Sequence, residues 1–189
     1  MAQIPYTSVV GSIMYAMICS RPNIAYAVGV VSQFMPNPGK EHWEGIKWLL
    51  RYLKGISKMG LQFTKGDSIL RGYVDADLGG CDDSGRSTTG YVFTVGKTAV
   101  SWMSKLQSCV ALSTTEAEYM AAAEACKELV WLKNFMLELG LVQQDYALYY
   151  GTLVVKKIPG TKNPADMCTK VVTMRKLKLC IASTGLLVN

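Results

Sequence analysis

Histidine is nearly missing from this chain: His42 is the only one among 189 residues. A multi-histidine metal site or a histidine-based triad would have to be built on it, and nothing around it resembles either. The six cysteines (Cys19, Cys81, Cys109, Cys126, Cys168, Cys180) form no C-x-x-C pair. Zinc-ribbon spacing is therefore excluded, and a chain of this length folds without disulfides, which leaves six reduced thiols as the expectation. A long apolar run is lacking too. Residues 8–19, SVVGSIMYAMIC, have the composition of a signal h-region, but no Lys or Arg precedes them, and Arg21-Pro22 stops the run well short of a membrane span. The stretch reads as a helix made for a protein core. No signal peptide, transmembrane segment or membrane partner is expected, and an intracellular place follows, cytoplasmic, nuclear or both.

Apolar residues make up 50% of the chain and charged residues 18%, so a core can be buried and wholesale disorder is excluded. The length suits one ordinary domain or a small domain with a helical extension. A formal charge of +6 is compatible with a phosphate-bearing partner without requiring one.

Periodicity divides the chain in two. Ser8–Cys19 and Asn23–Met35 read as apolar helices broken at Pro22, and Pro36-Asn37-Pro38-Gly39 is a firm breaker. In EHWEGIKWLLRYLKG, Trp43, Ile46, Leu49, Leu50 and Leu53 recur at helical spacing up to Gly55. Residues 1–57 are thus a helical unit. Beyond them, Ile69–Ala76 reads as a strand with Tyr73 and Asp75 on one face, followed by a loop over 77–88. Gly90–Val95 and Thr98–Met103 read as strands joined by a Gly96-Lys97 hairpin turn, and Ser113–Leu139 as a long helix ended by Gly140. Tyr146–Tyr150 and Thr152–Ile158 are β-prone, and Asn163-Pro164-Ala165-Asp166 opens a short last helix. The expected fold is α/β, a mixed sheet with flanking helices behind a small helical segment.

YTSVVGSIMYAMICSRPNIAYAVGVVSQFM and HWEGIKWLLRYLKG resemble the segment closing the reverse transcriptase of copia-type retrotransposon Pol polyproteins. GYVDADLGG, GRSTTGYVFTVG, SWMSKLQ, LSTTEAEYMAAAEACKELVWL and NPADMCTK resemble successive parts of the adjoining ribonuclease H domain. The resemblance fades only after about Cys180. It assigns 1–57 to the helical tail of the reverse transcriptase and 58–189 to a ribonuclease-H-like domain that is incomplete. The reverse transcriptase's own Tyr-x-Asp-Asp motif has only superficial look-alikes here, in Tyr73-Val74-Asp75-Ala76 and Cys81-Asp82-Asp83, so no polymerase is expected.

The resemblance implies cleavage of the RNA strand of an RNA–DNA hybrid by two divalent ions, Mg²⁺ or Mn²⁺, held ~4 Å apart by four carboxylates. Three carry over as catalytic and metal-binding candidates: Asp75, Glu118 and Asp166. Asp75 is preferred to Asp77, which reads as a loop-proximal, solvated acid. Glu116 and Glu118 lie about 200° apart on a helix and cannot face one metal. Ser113-Thr114-Thr115-Glu116 has capping-box form, which employs Glu116 and leaves Glu118 as the ligand. Asp166 reads equally well as a helix N-terminal acid.

The fourth carboxylate is missing. DYALYYGTLVVKKI passes from what resembles the fourth strand straight into the fifth, with Gly151 where the aspartate belongs. Parallel neighbours need a crossover of roughly a dozen residues, so the chain has an internal truncation near 150–152 that leaves a sheet edge incomplete. Metal binding weakened or lost, and hybrid cleavage absent or nearly so, are the expectation. The alternatives are a non-catalytic nucleic-acid binder using Arg86, Lys97, Lys105 and the basic 156–178 stretch, a protein-interaction or effector role through the exposed sheet edge, or a product with no selected function.

Overall fold

In a computed structural model, which describes residues 5–63, 68–81, 84–141 and 158–188, the first apolar run forms helix α1, Tyr6–Ser20. It ends where Arg21 precedes Pro22, because a residue before proline is pushed out of helical geometry. A 3₁₀ turn over Pro22–Ile24 leads into α2, Ala25–Ser32, shorter than the 23–35 read from the sequence. Helix α3, Lys40–Gly55, starts after Gly39, whose N–H donates to Nδ1 of His42 at 2.7 Å while the imidazole stacks on Phe34. The lone histidine therefore caps a helix. Tyr6, Val10, Ile13, Ile24, Val28, Ile46 and Leu49 close the core of this helical unit. Each such side chain contributes roughly 1.5–3 kcal/mol on burial.

The main sheet is antiparallel, in the order β2 (Leu70–Asp77), β3 (Thr88–Val95), β4 (Thr98–Leu106). Gly96 and Lys97 join β3 to β4 with φ of 57° and 67°, the left-handed pair that a tight hairpin demands. Strand β3 begins at Thr88, inside the stretch expected to be loop, because Thr88 and Thr89 pair with Asp77 and Ala76 and are buried. Strand β4 runs on to Leu106, past the expected Met103. A second, two-stranded antiparallel sheet joins β1, Met59–Leu61, to β5, Leu186–Val188, and neither strand was legible beforehand.

Alternation on β3 sends Tyr91 and Phe93 to one face and Gly90 and Val92 to the other. Helix α4, Thr114–Glu138, covers the first face with Ala117, Ala121, Ala125, Leu129, Leu132 and Met136. Ala25, Val92, Ala99, Met167, Cys168 and Cys180 pack on the second, with Met17 and Trp102 beside them, and the indole N–H of Trp102 donates to the carbonyl of Met17 at 3.2 Å. The helical unit and the sheet thus share a core.

The expected last helix is two pieces: a five-residue 3₁₀ turn, Pro164–Cys168, and α5, Met174–Ser183. Among the described residues, five α-helices and two antiparallel sheets make a mixed α/β fold consistent with an incomplete ribonuclease-H-like architecture. The β-prone run over 146–150, the run over 152–158 apart from Ile158, and the Gly151 junction, where the family's parallel pairing was expected to be lost, lie outside the described residues. All six cysteines are free. No helix among the described residues is long and apolar enough to cross a membrane.

Candidate functional site

Asp75 sits on β2 directly opposite Gly90 of β3, so both point to the face away from α4. Gly90 has a steric reason to be glycine. A Cβ there would meet Thr169 Cγ2 at 2.7 Å and Cys168 Cβ at 2.8 Å, so its absence lets the 164–168 turn lie flat on the sheet. Asn163 fastens the start of that turn. Its Nδ2 donates to the carbonyl of Val74 at 2.9 Å, and its Oδ1 accepts from the N–H of Ala165 at 3.1 Å, capping the turn.

This docking brings Asp166 and Asp75 together. Thr169 Oγ1 donates to Asp75 Oδ2 at 2.5 Å, and the Lys170 ammonium lies 3.1 Å from the same oxygen. The Lys176 ammonium, reaching back from α5, lies 3.2 Å from Asp166 Oδ2 and also donates to the carbonyl of Gly160. Burial, followed by the nearby negative charge of Asp75, raises the Asp166 pKa, with Lys170 and Lys176 opposing. For Lys170, burial works against the ammonium. The charge and hydrogen bond of Asp75, with Asp166 and Asp77 behind them, outweigh it and raise its pKa above the ordinary value. Cys168 and Cys180 lie buried behind the turn, where desolvation pushes both thiols up and away from reactivity.

Glu118 stands elsewhere, exposed on α4, the helix covering the opposite face of the sheet. Among the described residues, no three His, Cys, Asp or Glu side chains come together as a group able to hold a metal ion. Asp75 and Asp166 are thus brought together and Glu118 does not join them. Glu116 occupies the helix start as its spacing suggested, but with a shift: Ser113 Oγ accepts from the Glu116 N–H at 3.1 Å, while the Glu116 carboxylate reaches back to the N–H of Leu112, not of Ser113. Three residues that organise the site were not singled out from the sequence, Thr169, Lys170 and Lys176, and Asn163 was named only as the start of the last helix. The cap pattern of Asn163 before Pro164 offered a signal; the two lysines read only as part of a basic stretch.

A divalent pair fits this arrangement poorly. Hard cations select oxygen-rich, anionic cages, whereas each carboxylate here is engaged by a lysine ammonium, and among the described residues the pair belongs to no group of three acids able to hold a metal ion.

No protein-family model matches the chain, and no solved structure does. Among known proteins it is 49% identical, over 98% of its length, to the retrovirus-related Pol polyprotein from transposon TNT 1-94 of Nicotiana tabacum, of which the match spans 17%. It is 41% identical, over 72% of its length, to the retrovirus-related Pol polyprotein from transposon RE2 of Arabidopsis thaliana, of which it spans 9%. It is also 52% identical, over 70% of its length, to secreted RxLR effector protein 161 of Plasmopara viticola, and there the match spans 94% of the relative. The tobacco alignment runs over 220 positions against 189 residues here, so at least 31 of its positions have no counterpart in this chain.

Proposed function

The chain belongs to the retrovirus-related Pol polyproteins of copia-type transposons, and from that membership we propose that it is a ribonuclease-H-like remnant that no longer cleaves RNA–DNA hybrids. In this reading residues 1–57 are the helical tail of a reverse transcriptase, and 58–189 are the nuclease unit, truncated near 150–152. The alignments with the RE2 polyprotein and the effector run 137 and 133 positions over 72% and 70% of the chain, nearly without gaps. The at least 31 positions of the tobacco alignment without a counterpart here agree with a chain that lacks part of that relative's matched stretch.

One observation carries the reading. Of four carboxylates that hybrid hydrolysis by paired Mg²⁺ or Mn²⁺ would call on, two meet, Asp75 and Asp166, and lysines hold both. Glu118, exposed on α4, forms no metal-holding group with them among the described residues, and position 151 is glycine. The test is incubation of the purified chain with a labelled RNA–DNA hybrid and Mg²⁺ or Mn²⁺. No cleavage above a no-protein control is expected. Cleavage that disappears in Asp75→Asn would defeat the proposal.

A second reading has its own support. A relative named as a secreted effector protein is matched over 94% of its length, so a stretch of this kind exists as nearly a whole protein with a non-nuclease name. A non-catalytic role through protein or nucleic-acid contacts fits a chain whose acidic pair is neutralised. Salt-dependent hybrid binding without cleavage would favour the nucleic-acid version; a stable protein partner recovered with no hybrid affinity would favour the effector version.

A further inference from the structure

We infer that Lys170 and Lys176 are the resident counter-charges of the acidic pair, so that Asp75, Asp166 and the two ammoniums form an ion cluster that fastens residues 163–183 to β2 without a divalent metal. The inference rests on the remnant reading above, in which the two acids descend from a metal-binding set.

The groups that face one another come from three elements. Strand β2 supplies Asp75, with Asp77 farther along contributing charge to Lys170. The 164–168 turn supplies Asp166, and the lysines come from the residue pair after that turn and from α5. Two carboxylates and two ammoniums cancel in formal charge. Each acid has a lysine at hydrogen-bonding distance, 3.1 Å for Asp75–Lys170 and 3.2 Å for Asp166–Lys176, and the second pair is the drier, with side chains 16% and 13% exposed. Asp75 Oδ2 also accepts from Thr169, so one oxygen already serves two donors. Lys176 is anchored from behind by the Gly160 carbonyl. A divalent ion entering between the acids would have to expel Lys170, or sit beside it and suffer like-charge repulsion in a partly desolvated place. The geometry of the backbone favours the lysines as well. Gly90 lets Thr169 approach the sheet closely, and the Asn163 bond to Val74 fixes the other end of the turn, so Lys170 is presented to Asp75 by contacts that involve no ion.

A partly buried ion pair also has a distinctive mutational signature. Deleting one partner strands the other charge and costs more than neutralising both.

The full chain is tested by thermal unfolding in EDTA and in millimolar MgCl₂ or MnCl₂, with the Mn²⁺ electron paramagnetic resonance signal reporting uptake. The wild type is expected to melt at the same temperature in all three and to leave the Mn²⁺ signal undiminished. Lys170→Met is expected to lower the midpoint by roughly 3–6 °C and to become responsive to Mn²⁺, because it strips Asp75 of its ammonium beside Asp166. Asp75→Asn combined with Lys170→Met should lose less than the two single losses added together. Lys170→Arg keeps the charge and should fold with a near-native midpoint; if Lys170→Met fails to fold, the wild-type Mn²⁺ signal and the arginine variant still decide. Wild-type Mn²⁺ uptake that vanishes in Asp75→Asn would overturn the inference, as would a Lys170→Met midpoint equal to the wild type and indifferent to metal. Hybrid cleavage by the wild type would remove the remnant reading beneath it, whereas Mn²⁺ uptake without cleavage removes this inference alone.

Discussion

Between Tyr6 and Gly55 three helices meet through Val10, Ile13, Ile24, Val28, Ile46 and Leu49, whereas the segment from Asn163 to Lys170 is attached to β2 through an amide, a hydroxyl and an ammonium. The first contact is non-directional and tolerates shifts in side-chain shape. The second depends on bonds that are either made or lost and on charges that must stay paired. The difference teaches where this fold is insured. Its helical unit stands on area removed from water; the acidic face adds a small number of polar links and one glycine to the apolar packing of Met167 and Cys168.

The largest expected effect breaks the apolar side of this comparison. Ile46 is completely buried, and Ile46→Ala should cost about 2–5 kcal/mol in urea unfolding, with no dependence on salt. On the polar side, Gly90→Ala should cost about 1–3 kcal/mol, since the added Cβ would lie 2.7–2.8 Å from Thr169 and Cys168 and prise the turn off the sheet. Loss of hydrogen-exchange protection around 163–169, with α1–α3 unaffected, would show that the two regions are held independently. The smallest effect sharpens the contrast among the acids. Glu118 is exposed, so Glu118→Gln should alter stability by less than about 0.5 kcal/mol. A loss comparable to that of Asp75→Asn would mean that Glu118 has a partner on the acidic face after all.

The helical unit was legible because its pattern is local: apolar residues every three to four positions, with Pro22 and Gly39 marking the breaks. The β3–β4 hairpin was legible for the same reason, since Gly96-Lys97 announces the turn between two β-prone runs. Its margins were not. Ser87 and Thr88 fall in the stretch expected to be loop, yet both are buried, and Thr88 pairs with Asp77. Strand β5 pairs with β1 across most of the chain, a register that no window of neighbouring residues contains. In the site, Asp75 and Asp166 were reachable through their motifs. The lysines were not, because Lys170 lies 95 positions from Asp75 and nothing in NPADMCTK says which way its side chain turns. The alternation that puts Asp75 on the face opposite α4 was implicit in the strand, but it could separate Asp75 from Glu118 only once the layers were known.

The indole of Trp102 bonded to the carbonyl of Met17, with Ala25 seated against Val92, Ala99 and Cys168, carries a consequence for how such a piece can be divided. A cut near residue 57 would leave the rear of the sheet wet and unroofed. The helical unit and the sheet are therefore one folding block, and removing either exposes the core of the other.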